Sequence, residues 1–214
     1  MRFYGVRAKI HRYLTVLLGS ACSRLPLTPN QWTLLGLLPS LVAIWSLARH
    51  AWLISATLVL VSLLVDAIDG AVARATGKST TFGAFLDALV DRYAEAALMT
   101  GLLLADLPDV LLPAACWIFF YYFGSMMSTY AKAVAKEKDY VDEEVGGGLA
   151  GRGEKMIALA AGMIAASFEP VYLTYFLIVV GALAHLTAVQ RMARAGRLHA
   201  QMRARGEASP EVPG

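Results

Sequence analysis

Two short stretches hold residues whose types and spacing could do chemistry. The first carries Asp66, Asp69, Gly70, Ala73 and Arg74; the second carries Gly83, Asp87 and Asp91. Both interrupt sequence that is otherwise oily enough to sit in a bilayer. A charge near the membrane centre costs roughly 2.5–3.5 kcal/mol on insertion scales. Four carboxylates close together therefore need a strong compensating partner, and a bound divalent cation supplies one. Asp66 and Asp69 are three residues apart, and Asp87 and Asp91 four, so on helices each pair shares one face.

The elements that must position these carboxylates are long and apolar. The chain has 214 residues, 57% of them hydrophobic, and a mean hydropathy of +0.55, which is too apolar for an ordinary soluble domain. Reading for runs of about 20 residues able to cross a hydrocarbon core gives candidate helices over 31–48, 52–75, 80–105, 110–135, 154–168 and 170–193. Residues that stop helices close the tight connections: Gly77 and Ser79, then Leu107-Pro108, then Glu169-Pro170. Residues 136–148 form one long polar loop. The fold class is an all-α membrane protein with six transmembrane helices.

An interfacial amphipathic helix over about 3–22 precedes them. Val6, Ile10, Leu14, Leu17 and Ala21 make its apolar stripe, and Arg2, Arg7, Lys9 and Arg12 its polar side. This segment reads as an anchor lying in the interface and not as a cleaved leader. Residues 1–195 form a single domain; 196–214 form a polar tail expected to be disordered. All Lys and Arg except Arg49 and Arg92 fall in the N-terminal segment, the second and fourth connections, the tail, or the helix ends that adjoin them. With six spans these regions share one side. The positive-inside rule then places both termini and the carboxylates at the cytoplasmic face of the cell membrane. The net charge of +3 suits anionic headgroups and not nucleic acid. Two cysteines, Cys22 and Cys116, imply no disulfide framework.

The full pattern, Asp-x2-Asp-Gly-x2-Ala-Arg-x8-Gly-x3-Asp-x3-Asp, resembles the signature of the CDP-alcohol phosphotransferases (CDP-alcohol phosphatidyltransferases) at every fixed position. The resemblance implies transfer of a phosphatidyl or archaetidyl group from a CDP-linked lipid to the hydroxyl of a polar alcohol, with release of CMP. The residue types suit this chemistry, because phosphoryl transfer is catalysed mostly by positioning and charge neutralisation. All-oxygen ligation favours Mg²⁺, with Mn²⁺ as the alternative, and two ions are expected. The resemblance makes Asp66, Asp69, Asp87 and Asp91 metal ligands, with Asp91 also the catalytic base for the acceptor hydroxyl. Gly70, Ala73, Arg74 and Gly83 then belong to the CDP-lipid site. Gly70 removes a side chain where backbone must approach the nucleotide, and Arg74 offers a donor fork to phosphate or base. Glu95, outside the signature, reads as a structural partner of Arg92.

Ahead of the first span, Thr28-Pro29-Asn30-Gln31-Trp32-Thr33 is similar to the family's Thr-Pro-Asn-x-x-Thr. It is also a sound helix start, with Thr28 as N-cap and Pro29 at the first position. The resemblance makes Pro29, Asn30, Gln31 and Trp32 further CDP-lipid candidates. Thr80, which doubles as a cap for the third span, is another.

Three weaker features bear on the acceptor. Ser128-Thr-Tyr130-Ala-Lys132-Ala resembles the Ser-Tyr-x-Lys-Ala element of the family branch that uses inositol phosphate, the phosphatidylinositol phosphate and archaetidylinositol phosphate synthases. The segment from Gly148 to Lys155 resembles that branch's Gly-x-x-Glu-Arg-x-x-Arg, departing at Gly151 for Glu and at Lys155 for Arg. Gln190-Arg191 resembles its terminal Gln-Arg. A phosphorylated polyol needs cations, and Lys132, Arg152, Lys155 and Arg191 could supply them. The positive-inside rule alone also predicts basic residues at these helix ends. Inositol phosphate is the preferred acceptor; glycerol 3-phosphate, serine and free inositol are the alternatives. The family resemblance further implies a homodimer. A cation transporter would also carry intramembrane carboxylates, but it predicts them spread across bilayer depth.

Overall fold

The computed structural model describes Cys22, residues 25–137 and residues 151–205. Within them the fold is all-helical. Six long helices follow in order: α1 (Pro29–Ala48), α2 (Trp52–Ala75), α3 (Thr81–Leu104), α4 (Ala114–Glu137), α5 (Arg152–Ala166) and α6 (Val171–Ala204). The expected interfacial helix, except for Cys22, and most of the 136–148 loop lie outside the described residues. By its contacts the chain divides into two compact units, Met1–Ala105 and Asp106–Gly214.

In the first unit α1 packs against both α2 and α3. Small polar residues make the first of these contacts. The Ser40 and Ser62 hydroxyls are 3.0 Å apart, Ser62 donates to the Gly36 carbonyl at 2.8 Å, and the Ser46 and Ser55 hydroxyls are 2.8 Å apart. Such residues let apolar helices approach closely and bond across their interface. Against α3 the approach is closer still. A Cβ on Gly101 would lie 2.6 Å from Leu47 Cδ1 and 3.0 Å from Ile44 Cα, so only glycine fits there.

The turn from α2 to α3 decides where the site's residues go. Gly77 has φ +64°, and the Lys78 and Gly77 amides donate to the carbonyls of Ala73 and Arg74 at 3.0 and 3.4 Å. This is a Schellman closure, which needs a left-handed residue that glycine supplies without strain. Thr80 then caps α3, its hydroxyl accepting from the Gly83 amide at 2.9 Å.

In the second unit α6 packs against α4 and α5. His185 Nε2 lies 3.1 Å from the Phe120 carbonyl, and its ring stacks on Phe120 with centroids 4.4 Å apart. Two boundaries differ by more than two residues from those expected. The α4 helix begins at Ala114 and not 110, because Leu112 precedes Pro113 and is driven from helical geometry. Its start is capped instead by Asp109 Oδ1, which accepts from the Ala114 amide at 2.7 Å. At the other end, α6 continues past 195 to Ala204. Leu198, Ala200, Gln201 and Met202 are good helix formers, so the polar composition did not end the helix.

Among the described residues three helices are long and apolar enough to cross a membrane: Pro29–Ala48, Trp52–Ala75 and Val171–Met202. The other three fall short for identifiable reasons. Asp87, Asp91, Arg92 and Glu95 interrupt α3, tyrosines and serines dilute α4, and α5 has 15 residues. Large apolar side chains such as Leu38, Trp45, Leu53 and Ile54 point outward. Water would penalise these faces and hydrocarbon would not, so the chain is a membrane protein.

Candidate active site

The carboxylate group and the cleft beside it are built from residues of the first unit. Their parts are the start of α1, the C-terminal half of α2, the turn 76–80 and the first half of α3. One carboxylate oxygen from each of Asp66, Asp87 and Asp91 lies within 4.8 Å of the others, and all three side chains are half-buried. For an ion with oxygen ligands at about 2.1 Å, opposite ligands stand about 4.2 Å apart. Small side-chain rotations would close the remaining gap. Three carboxylates and no nitrogen or sulfur make a donor set suited to Mg²⁺ or Mn²⁺.

Beside this group lies an open cleft of about 180 Å³. Of the residues expected to bind nucleotide, Pro29, Asn30, Gly70, Ala73, Arg74, Thr80 and Gly83 line it, together with Asp69 and Asp87. Asp87 is thus common to the carboxylate group and the cleft. Arg74 sits over Gly70: a Cβ there would be 3.3 Å from Arg74 Nη1. The missing side chain makes room for the guanidinium as well as for any ligand. Arg74, Lys78 and the N-terminus of α3 bring positive charge to the cleft, an arrangement suited to phosphate.

Gln31 and Trp32 do not line the cleft. Gln31 is spent on the helix start, its Oε1 accepting from the Thr28 amide at 2.8 Å while its own amide donates to Thr28 Oγ1 at 3.3 Å. Asp69 is buried and accepts a 2.6 Å hydrogen bond from Thr33 Oγ1. Sequence reasoning passed over Thr33, although it closes the Thr-Pro-Asn-x-x-Thr element. It also passed over Lys78 and Ser79, for which adjacency to the Gly77 turn was the only signal. Arg92 bridges two acids on its own helix. Its Nη1 lies 3.4 Å from Glu95 Oε2 and its Nη2 3.9 Å from Asp91 Oδ2. Glu95 therefore pairs with Arg92 as expected.

The residues expected to hold the acceptor lie in the second unit. Lys132 is exposed on α4, and Arg152 opens α5, where Glu154 accepts from the Gly151 amide at 2.8 Å. Lys155 and Arg191 are both buried and converge on one turn of α4. Lys155 Nζ donates to Ser125 Oγ and Ser128 Oγ, and Arg191 Nη1 to the Ser128 carbonyl.

Comparison with known proteins agrees with this architecture. A family model described as CDP-alcohol phosphatidyltransferase matches residues 26–192. An archaetidylinositol phosphate synthase of Pyrococcus horikoshii is 32% identical over 87% of this chain and 93% of its own. The phosphatidylinositol phosphate synthase of Mycobacterium tuberculosis, solved with CDP-DAG bound, superposes with a TM-score of 0.72. It has 27% identity, over 86% of this chain and 94% of that one. The same enzyme solved with manganese and citrate also gives a TM-score of 0.72 at 27% identity, over 85% and 88% of the two chains. The match spans both units and every residue of the carboxylate group and cleft, and this chain belongs to the CDP-alcohol phosphatidyltransferase family.

Proposed function

We propose that the chain transfers a phosphatidyl or archaetidyl group from a CDP-linked lipid to a hydroxyl of inositol phosphate, releasing CMP. The observation that carries this reading is Asp87, which joins a group of three carboxylates to a cleft lined by Arg74 and Lys78. The relatives' names point to inositol phosphate as acceptor, as do the basic residues of the second unit. The carboxylates gather in one cluster, in the C-terminal half of α2 and the N-terminal half of α3, and are not spread along the helices, which disfavours an ion path across the bilayer.

In this reading Asp66, Asp69, Asp87 and Asp91 hold Mg²⁺ or Mn²⁺, as two ions. When bound, the metal neutralises the pyrophosphate and stabilises departing CMP. The nucleotide lies in the cleft between the start of α1 and the α2–α3 turn, with Arg74 and the α3 N-terminus on its phosphates. Asp91 takes the proton of the acceptor hydroxyl as that oxygen forms a bond to the lipid-side phosphorus. The bond from that phosphorus to the CMP oxygen breaks. Lys132, Arg152 and Arg191 receive the phosphate of the acceptor. Six spans, a cytoplasmic site, an N-terminal interfacial helix and a homodimer complete the proposal, with residues 1–195 acting as one functional domain.

The test is an acceptor screen with purified protein, CDP-lipid and Mg²⁺, read by mass spectrometry of the lipid product. Inositol phosphate is expected to yield product and CMP together. Product from glycerol 3-phosphate, serine or free inositol alone would reassign the acceptor.

Thr33 provides a second check. Valine keeps its shape but removes the hydroxyl from Asp69. Loss of a hydrogen-bond partner behind a ligating carboxylate typically lowers metal affinity or activity about 10- to 100-fold. Thr33→Val is expected to fall in that range, measured as Mn²⁺ affinity by electron paramagnetic resonance alongside CMP release. Unchanged affinity and rate would separate Asp69 from the metal.

A further inference from the structure

Lys155 is 1% exposed, among the most deeply buried large side chains of the protein. Burying an ammonium in an apolar bundle is costly unless its donors are met. Here one turn of a neighbouring helix offers oxygens to them. Nζ lies 2.7 Å from Ser125 Oγ, 3.0 Å from Ser128 Oγ and 3.3 Å from the Ser125 carbonyl. An ammonium has three N–H groups, and three α4 oxygens stand in reach of them. Ser128 donates in turn to the Ser125 carbonyl at 2.8 Å, which ties the turn to itself. The carbonyl of the same Ser128 accepts from Arg191 Nη1 on α6. Lys155 on α5 and Arg191 on α6 are therefore joined through a single helical turn.

We propose that Lys155 is a positioning residue for the acceptor site and not an acceptor ligand: by clamping Ser125 and Ser128 it fixes the carbonyl that aims the Arg191 guanidinium. This rests on the reading that Arg191 receives the acceptor's phosphate. It also revises the expectation that Lys155 itself does so. An arginine places a planar fork whose direction matters more than its charge alone, so the turn that orients it sets acceptor affinity from a distance.

The experiment measures KM for inositol phosphate and for CDP-lipid in Arg191→Ala, Lys155→Met, Lys155→Arg, Ser125→Ala and the Ser125→Ala/Lys155→Met pair. Arg191→Ala tests the underlying reading: if it leaves KM for inositol phosphate unchanged, that reading fails regardless of Lys155. Given an Arg191 effect, Lys155→Met is expected to raise KM for inositol phosphate about tenfold and to leave that for CDP-lipid within twofold. Ser125→Ala is expected to raise it about threefold. The pair should be no worse than Lys155→Met alone, because both act through one turn. Lys155→Arg, the residue found at this position in the resembling sequence element, is expected to recover most of the affinity.

An additive pair, or a Ser125→Ala enzyme with unaltered KM, would mean that Lys155 acts on the acceptor directly and would overturn the proposal. Should Lys155→Met fail to fold, Ser125→Ala keeps the test alive. It removes a single hydroxyl and leaves Lys155 Nζ beside Ser128 Oγ and the carbonyl of residue 125.

Discussion

Asp91→Asn is expected to lower turnover by about a thousandfold while CDP-lipid affinity changes by no more than a few-fold. Asparagine has nearly the same shape but cannot accept the hydroxyl proton, and it contributes no charge to a metal. A positioned general base alone is worth about 10²–10⁴ in rate, and loss of a ligating charge adds to this. Asp91 stands one turn beyond Asp87, within 4.8 Å of Asp66 and Asp87 oxygens, and Arg92 Nη2 lies 3.9 Å from its Oδ2. It does not line the cleft assigned to the nucleotide, so binding should survive its loss. Single-turnover CMP release and equilibrium binding of CDP-lipid check the two halves independently. An enzyme slowed less than tenfold would remove Asp91 as the base. One that no longer binds CDP-lipid would place Asp91 in the nucleotide site.

Much of this arrangement could be read from sequence because it depends on local rules. The apolar run bounded by Trp52 and Ala75 is one such rule, and the helix forms over those residues. Gly77 before a capping threonine is another, and it produces the turn that carries Lys78 and Ser79 to the cleft. What could not be read is the rotation of one helix against another. Spacings of three and four put Asp66 with Asp69 and Asp87 with Asp91, which made all four carboxylates look equivalent. In the fold Asp66 faces the α3 pair, while Asp69 turns towards α1 and Thr33.

The same ignorance of rotation hid the burial of Lys155, which packs against the Ser125–Ser128 turn of α4. For Gln31 the reason is of another kind. Its position in a family element suggested a ligand contact, yet the local competition for amide hydrogens at the α1 start claimed it first. The α4 start was legible in principle, because Leu112-Pro113 carries the signal that displaced it.

Asp87→Ala is expected to reverse the effect of metal on nucleotide binding. In the proposed mechanism Asp87 would support, with Mg²⁺ present, the ion that neutralises phosphate, so its removal should weaken CMP binding and lower turnover by about a thousandfold or more. Without metal, the same carboxylate is an anion lining a cleft that must accept an anion. Unit charges about 4 Å apart in a water-like dielectric interact by about 1 kcal/mol, roughly fivefold in affinity. In chelator, Asp87→Ala should therefore bind CMP a few-fold more tightly than the wild-type protein. Asp66→Ala should behave differently, because Asp66 belongs to the carboxylate group but does not line the cleft. It should lose Mn²⁺ affinity and turnover as severely, yet leave metal-free CMP affinity within about twofold. Calorimetric titration of CMP into each variant, with Mg²⁺ and then with chelator, reads both signs directly. If Asp87→Ala weakened CMP binding equally in the two conditions, its carboxylate would be contacting the nucleotide itself and not acting through a metal.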